Sequence, residues 1–168
     1  QVIKTTVEQT KKRVPVIAGA GSNDTQKAIK LSIIAKEAGA DGLLHVTPFY
    51  NKPTPKGLVA HFKAIADSCD LPIILYNVPG RTGQNVMPDT ILRVAREVPQ
   101  VIGVKEASGS IIQMMDIVKG ASSDFCVLSG DDAMTYPLMA SGGVGIISVA
   151  SNEIPKAMSK LAQACLDG

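Results

Sequence analysis

Six short runs rich in Val, Ile and Leu alternate with helical patterns along the chain, and this alternation limits the fold more than any other feature. The runs are VPVIAGAG (14–21), DGLLHVTP (41–48), LPIILYNVP (71–79), VIGVKEAS (101–108), FCVLSGDD (125–132) and VGIISVAS (144–151). Each is nearly continuous in apolar residues, as a strand covered on both faces is. A helical pattern, DTQKAIKLSIIAKEAG (24–39), follows the first run, with Asn23 or Asp24 as N-cap and Gly39 as a stop. GLVAHFKAIADSC (57–69), PDTILRVAREV (88–98), SIIQMMDIVKG (110–120) and AMTYPLMASG (133–142) fill the other gaps, and Pro137 shortens or kinks the last. VIKTTVEQTKK reads as helix before the first strand, and IPKAMSKLAQACLDG as an amphipathic helix after the last. The order is α(βα)6, with no linker and no low-complexity stretch. Such strict alternation implies a parallel sheet.

Two architectures satisfy this order: an open doubly wound sheet, or part of a (β/α)8 barrel. A complete barrel needs eight units and about 250 residues, so this chain supplies about six of them. The strand ends favour the barrel. Polar or special residues follow nearly every strand: Gly19–Ser22, Thr47–Asn51, Tyr76–Gly83, Lys105–Ser108, Ser129–Asp132 and Ser148–Ser151. A barrel gathers all its strand C-terminal ends at one mouth, whereas an open sheet concentrates its site at a switch point. The G-A-G at 19–21 lacks the third glycine of a dinucleotide fingerprint, and there is no G-K-[ST]. The expected organisation is one partial barrel domain over residues 1–168.

The totals exclude several functions. A net charge of +2 gives no reason to expect nucleic acid or an anionic membrane as partner. No apolar run approaches the roughly 20 residues that cross a bilayer. Cys69, Cys126 and Cys165 are odd in number, far apart and free of any CxxC. They read as reduced, buried thiols of a cytoplasmic protein, with no metal knuckle. There is no initiator Met and no apolar signal core. Both ends read as cut, as in the middle of something longer.

Lys105 is the first candidate for chemistry. At a strand's C-terminal end its ammonium faces the mouth while its stem lies among apolar side chains, and desolvation disfavours the charged form. A neutral amine can condense with a ketone to give a Schiff base. The alternative is a lysine that snorkels to solvent or pairs with Glu106. Tyr76, after four apolar residues, is a core tyrosine or a hydroxyl that relays protons during imine formation. Arg81, in V-P-G-R-T-G, is a surface arginine, or one that Gly80 and Gly83 let face inward toward a substrate carboxylate. Tyr50 ends VTPFY as loop packing or as a contact at a mouth or subunit interface. Asp131 and Asp132 open a helix and read as caps rather than metal ligands. His45 and His61 lack a ligand partner at helical spacing and read as structural. G-G-V-G (142–145) reads as close helix–strand packing and a tight turn.

TPFYNKP, YNVPGRTG, GVKEASG and LSGDDA, in this order and spacing, resemble the dihydrodipicolinate synthase family of pyruvate-dependent class I aldolases, which are (β/α)8 barrels. The resemblance covers essentially the whole chain. It implies condensation of pyruvate with L-aspartate 4-semialdehyde, a lyase step of lysine and diaminopimelate biosynthesis, with no metal or organic cofactor. It implies that Lys105 forms the imine, Tyr76 shuttles protons, and Arg81 binds the semialdehyde carboxylate. It also implies that Tyr50 reaches across a dimer interface and that Gly130 and Ile147 line the pyruvate pocket. The family implies a homotetramer, a dimer of tight dimers. Sialic acid lyases and sugar-acid aldolases of the same superfamily keep the tyrosine and lysine, but usually not this arginine.

Two departures from the family pattern matter. The first two strands, with a threonine loop, and the helices after the barrel are missing. A six-strand remnant leaves edges unpaired, so the chain alone is expected to be inactive and poorly soluble unless the missing strands come from elsewhere, or to serve only as a binding module. The second concerns lysine feedback, which in the family uses an asparagine, a glutamate and a tyrosine. Asn23 matches the first, but Lys27 and Phe49 stand at the other two positions. The expectation is an enzyme insensitive to lysine.

Overall fold

In the computed structural model all 168 residues are described. Helix α1 (Val2–Thr10) leads into β1 (Ile17–Gly19), α2 (Thr25–Glu37), β2 (Gly42–Val46), α3 (Pro55–Ser68) and β3 (Ile73–Asn77). Then come α4 (Pro79–Thr82), α5 (Pro88–Glu97), β4 (Val101–Glu106), α6 (Ile111–Gly120) and β5 (Cys126–Ser129). A 3-10 turn (Asp132–Met134), α7 (Thr135–Ala140), β6 (Gly145–Ile146), a second 3-10 turn (Ala150–Asn152) and α8 (Pro155–Asp167) complete the chain.

Local chemistry sets the helix starts. The carboxylate of Asp24 accepts from Lys27 N at 2.7 Å, the Thr54 hydroxyl from Gly57 N at 3.2 Å, and the Ser110 hydroxyl from Gln113 N at 3.3 Å. Each satisfies a donor that the first turn leaves free. Pro55, Pro79, Pro88 and Pro155 open four helices, where a missing N–H is harmless.

The six strands are all parallel and lie in the order β1-β2-β3-β4-β5-β6. That order decides between the two architectures. A doubly wound sheet reverses direction at a switch point. Here every crossover advances one strand the same way, as in a barrel. The helices follow suit: α2 packs on α3, α3 on α5, α5 on α6, α6 on α7 and α7 on α8. They form one layer over one face of the sheet. Between the layers lie Leu43, Phe62, Ile65, Ile73, Leu75, Ile91, Met114 and Ile117, all fully buried. Each such side chain stabilises the fold by about 1.5–3 kcal/mol through burial. β1 and β6 each have a single neighbour, so both margins of the sheet are open. No helix is long and apolar enough to cross a membrane.

Several boundaries differ from the sequence reading. The pattern at 133–142 divides into the 3-10 turn and the short α7, because Pro137 cannot donate to the preceding turn. The run at 144–151 pairs only at Gly145–Ile146 and then turns into 3-10 structure. V-P-G-R-T-G is not an open turn. Pro79 at the first helical position and left-handed Gly83 (φ 75°) after the last close one helical turn around Arg81. Of the thiols only Cys69 is buried, while Cys126 and Cys165 are half-buried; all three are free.

Candidate active site

The site forms at the C-terminal ends of β3, β4 and β5. Val46, Tyr76, Lys105 and Leu128 are successive ladder partners on β2 to β5, so they form one row across the sheet. Side chains alternate between faces along a strand, so this row faces away from its chain neighbours His45, Asn77 and Glu106, which pack toward the helices. Lys105 Nζ sits 4.1 Å from the centroid of the Tyr76 ring. Lys105 is only 8% exposed.

The electrostatics at Lys105 pull in opposite directions. Burial lowers its pKa, the Arg81 guanidinium lowers it further, and the Asp132 carboxylate opposes both; the net direction is down. Contact with the Tyr76 face favours the ammonium by about 0.5–1 kcal/mol, less than one pKa unit's worth. The amine is therefore easier to deprotonate than an ordinary lysine. Burial raises the Tyr76 pKa, and Arg81 partly offsets this, so the phenol stays protonated at neutral pH.

Gly130 gives Lys105 its room. A Cβ on Gly130 would lie 2.8 Å from Ala107 Cβ and 3.1 Å from both Cε and Cγ of Lys105. Gly130 N also donates to Glu106 O at 2.8 Å, fixing the β5 loop to the β4 end. Ile147 N donates to Ser129 O at 2.9 Å and continues the ladder one residue past β6. Gly130 thus stands against Lys105, and Ile147 at the end of β6, two strands away.

Arg81 is exposed on α4, and its charge reaches both Lys105 and Tyr76. Tyr50 is not brought to the lysine by this chain. It is 89% exposed, and its backbone takes a left-handed φ of 69°. Tyr50 N donates to Thr82 O at 3.3 Å, which ties its loop to α4. An open cavity of about 540 Å³ lies between the two, lined by Phe49, Tyr50, Lys52 and Arg81 among others. Nearby, the Asn51 side chain donates to Asn23 O at 3.0 Å, joining the Phe49 loop to the segment before α2, on which Lys27 is exposed.

The other polar candidates act in the framework. Asp131 caps the 3-10 turn through Ala133 N at 3.0 Å. Asp132 reaches across the mouth instead, accepting from the Ser148 hydroxyl and from Val149 N and Ala150 N at 3.3 and 3.0 Å. His45 Nε2 meets the Ser32 hydroxyl at 3.1 Å and His61 Nδ1 the Thr25 hydroxyl at 2.9 Å. Burial lowers both histidines to about 4, so both are neutral in the α2–β2–α3 layer. No group of three His, Cys, Asp or Glu side chains converges as metal ligands would. Gly142 and Gly143 leave no room for side chains, with Val118 and Leu138 at 2.9 and 2.5 Å from a Cβ placed there, which is the packing role expected of G-G-V-G.

Lys105 and Glu106 do not pair, because adjacent strand residues face opposite sides. Glu106 is wholly buried among Asn77, Ser108 and Gln113. Asn77, Gln113 and the cross-mouth role of Asp132 escaped the sequence reading. The available signal was Glu106 itself: a carboxylate on the helix-facing side of an apolar strand requires polar partners.

The consecutive parallel order, with a shielded lysine at a strand's C-terminal end, defines part of a (β/α)8 barrel with a candidate lysine-centred site at its mouth. Residues 1–168 match the Dihydrodipicolinate synthetase family throughout, and the chain belongs to that family. It is 56% identical over 167 residues to the 4-hydroxy-tetrahydrodipicolinate synthase of Nitratidesulfovibrio vulgaris (strain DSM 19637 / Miyazaki F), covering 99% of this chain and 57% of that one. Among solved structures, the chloride-inhibited dihydrodipicolinate synthase from Acinetobacter baumannii complexed with pyruvate superposes with a TM-score of 0.96 at 46% identity, covering 99% of this chain and 57% of that one. The enzyme from Cyanidioschyzon merolae with lysine bound gives 0.87 at 45% identity, covering 91% and 52%. The chain thus spans about 57% of the length of the curated relatives it matches.

Proposed function

We propose that this chain carries the imine-forming part of a 4-hydroxy-tetrahydrodipicolinate synthase, a cytoplasmic lyase that condenses pyruvate with L-aspartate 4-semialdehyde in lysine and diaminopimelate biosynthesis. The observation that carries the reading is the shielded Lys105 amine against the Tyr76 ring, in a chain of this family. Residues 1–168 act as one partial barrel domain.

The neutral Lys105 amine adds to the pyruvate ketone, and the carbinolamine loses water to give a protonated imine. Tyr76 supplies and removes the protons of that dehydration. The imine withdraws electrons, so a methyl proton leaves and an enamine forms. Its carbon attacks the semialdehyde aldehyde, whose carboxylate Arg81 holds. The substrate's own amine closes the ring, and Lys105 is released. Gly130 and Ile147 wall the pyruvate side, and Tyr50 completes the proton relay of a second subunit within a tetramer. The arginine favours this reading over a sugar-acid aldolase.

The test is pyruvate with borohydride, followed by peptide mass mapping. It is applied to this chain and to the chain joined to the flanking segments of the Nitratidesulfovibrio vulgaris relative, which completes the barrel. A reduced pyruvate adduct on Lys105 of the completed barrel is expected. Its absence there, or an adduct elsewhere, overturns the assignment.

A further inference from the structure

The carboxyl group of Glu106 is fully buried, yet no lysine, arginine or histidine lies within ion-pair distance of it. Burying such a group among neutral partners is costly compared with an apolar side chain of the same size. Neutral donors surround it: Asn77 Nδ2 at 3.0 and 3.2 Å, Ser108 N at 2.6 Å and Gln113 Nε2 at 3.3 Å. Asn77 continues the network. Its Oδ1 accepts from Val86 N at 3.1 Å, and its Nδ2 also approaches Asn85 Oδ1 at 2.9 Å. Gln113 Nε2 reaches Val86 O at 3.2 Å, so α6 is tied to the same segment.

The location gives this network its meaning. Asn77 and Glu106 are ladder partners one residue beyond the ladder partners Tyr76 and Lys105. The buried polar pair therefore stands directly behind the pair at the mouth, on the opposite face of the same two strands. Through Asn85 and Val86 it also holds the end of the segment that carries Arg81.

We infer that Glu106 is a positioning residue: from the helix side, with Asn77 and Gln113, it sets the spacing of Lys105 from Tyr76 and the placement of the Arg81 segment. The inference rests on the imine reading proposed above for its consequence in turnover, but not for its geometry. Both carboxyl oxygens act as acceptors in this network. A glutamine keeps one acceptor and turns the other into a donor, and an alanine keeps neither.

The experiment compares Glu106→Ala, Glu106→Gln and Gln113→Ala in the completed barrel with two readouts. One is the borohydride trapping rate at saturating pyruvate. The other is the pH dependence of Lys105 acetylation by trace acetic anhydride, mapped by mass, which needs no substrate. Glu106→Ala is expected to slow trapping at least tenfold and move the acetylation midpoint up toward that of a free lysine. Glu106→Gln, which keeps one of the two acceptors, is expected to fall between the unsubstituted barrel and Glu106→Ala in both readouts. Gln113→Ala gives a smaller shift in the same direction, and decides the matter if Glu106→Ala does not fold. Unchanged midpoints and rates in the alanine variants overturn the inference. If the unsubstituted barrel forms no adduct, the imine reading fails, and the acetylation midpoints still decide whether Glu106 positions Lys105.

Discussion

Tyr76 and Lys105 face each other across one rung of the β3–β4 ladder, with the lysine nitrogen 4.1 Å from the ring centroid. Parallel pairing fixes this approach through the backbone, so the two groups need no loop to bring them together. Tyr76→Phe keeps the ring and removes the hydroxyl. It is expected to leave Lys105 in place but slow pyruvate trapping about a hundredfold or more, the scale of one lost acid–base group. Stopped trapping time courses check this, and an unaltered rate would remove Tyr76 from the proton path.

Gly130 is the tightest neighbour of the lysine stem. Gly130→Ala places a methyl group 2.8 Å from Ala107 Cβ and 3.1 Å from Lys105 Cε. Overpacking of this kind costs about 1–3 kcal/mol. The lysine tip yields more easily than the strands, so the expected effect is a fall in trapping rate with only a modest drop in melting temperature. Equal losses in both would place the strain in the backbone instead.

The Arg81 charge lowers the Lys105 pKa. Arg81→Met removes that effect, so the lysine pKa rises and the neutral amine appears only at higher pH. The pH profile of imine trapping is expected to move in the alkaline direction in this variant. The rate at neutral pH falls even with saturating pyruvate. A profile that stays put would show that burial alone depresses the amine.

His45 and His61 each titrate near 4 in the folded chain against an ordinary 6.5. The unfolded chain therefore binds protons first. Stability is complete above about pH 6.5 and declines as pH falls toward 4, by roughly 3 kcal/mol per histidine at most. That is a large part of an ordinary domain's margin. Urea titrations of the completed barrel from pH 7 to 4.5 are expected to show this loss. A flat result would mean that water enters the layer and solvates the imidazolium ions.

The family resemblance proposes Lys27 and Phe49 for the positions of a glutamate and a tyrosine that bind lysine in sensitive members. A cation facing the effector's ammonium repels it, so the completed enzyme is expected to ignore millimolar lysine. Lys27→Glu with Phe49→Tyr is expected to create inhibition. Calorimetric binding of lysine to the unsubstituted protein would contradict the expectation.

Much of this architecture was legible in the sequence because apolar runs and caps are local signals. All six strands, and Lys105 at a strand end, follow from VIGVKEAS and its five counterparts. The polar strand ends favoured the barrel over the open sheet, but the deciding fact is which strands become neighbours, and that is not a local signal. The short β6 was overread because VGIISVAS keeps its apolar content after pairing stops. The helical turn around Arg81 was hidden in residues that also suit a loop. Asn77 and Gln113 were invisible because their partner, Glu106, lies 29 and 7 residues away and only the folded β–α packing joins them.

The strictly consecutive strand order has a consequence for how the chain acquires its shape. Each of these six strands hydrogen-bonds only to those just before and after it in sequence, so among them no pairing waits for a distant segment. Contact order stays low for a parallel sheet, and a nascent chain can add one β–α unit at a time as it leaves the ribosome. The growing margin remains exposed until the next unit arrives, which makes the interval between units the period of greatest risk from self-association.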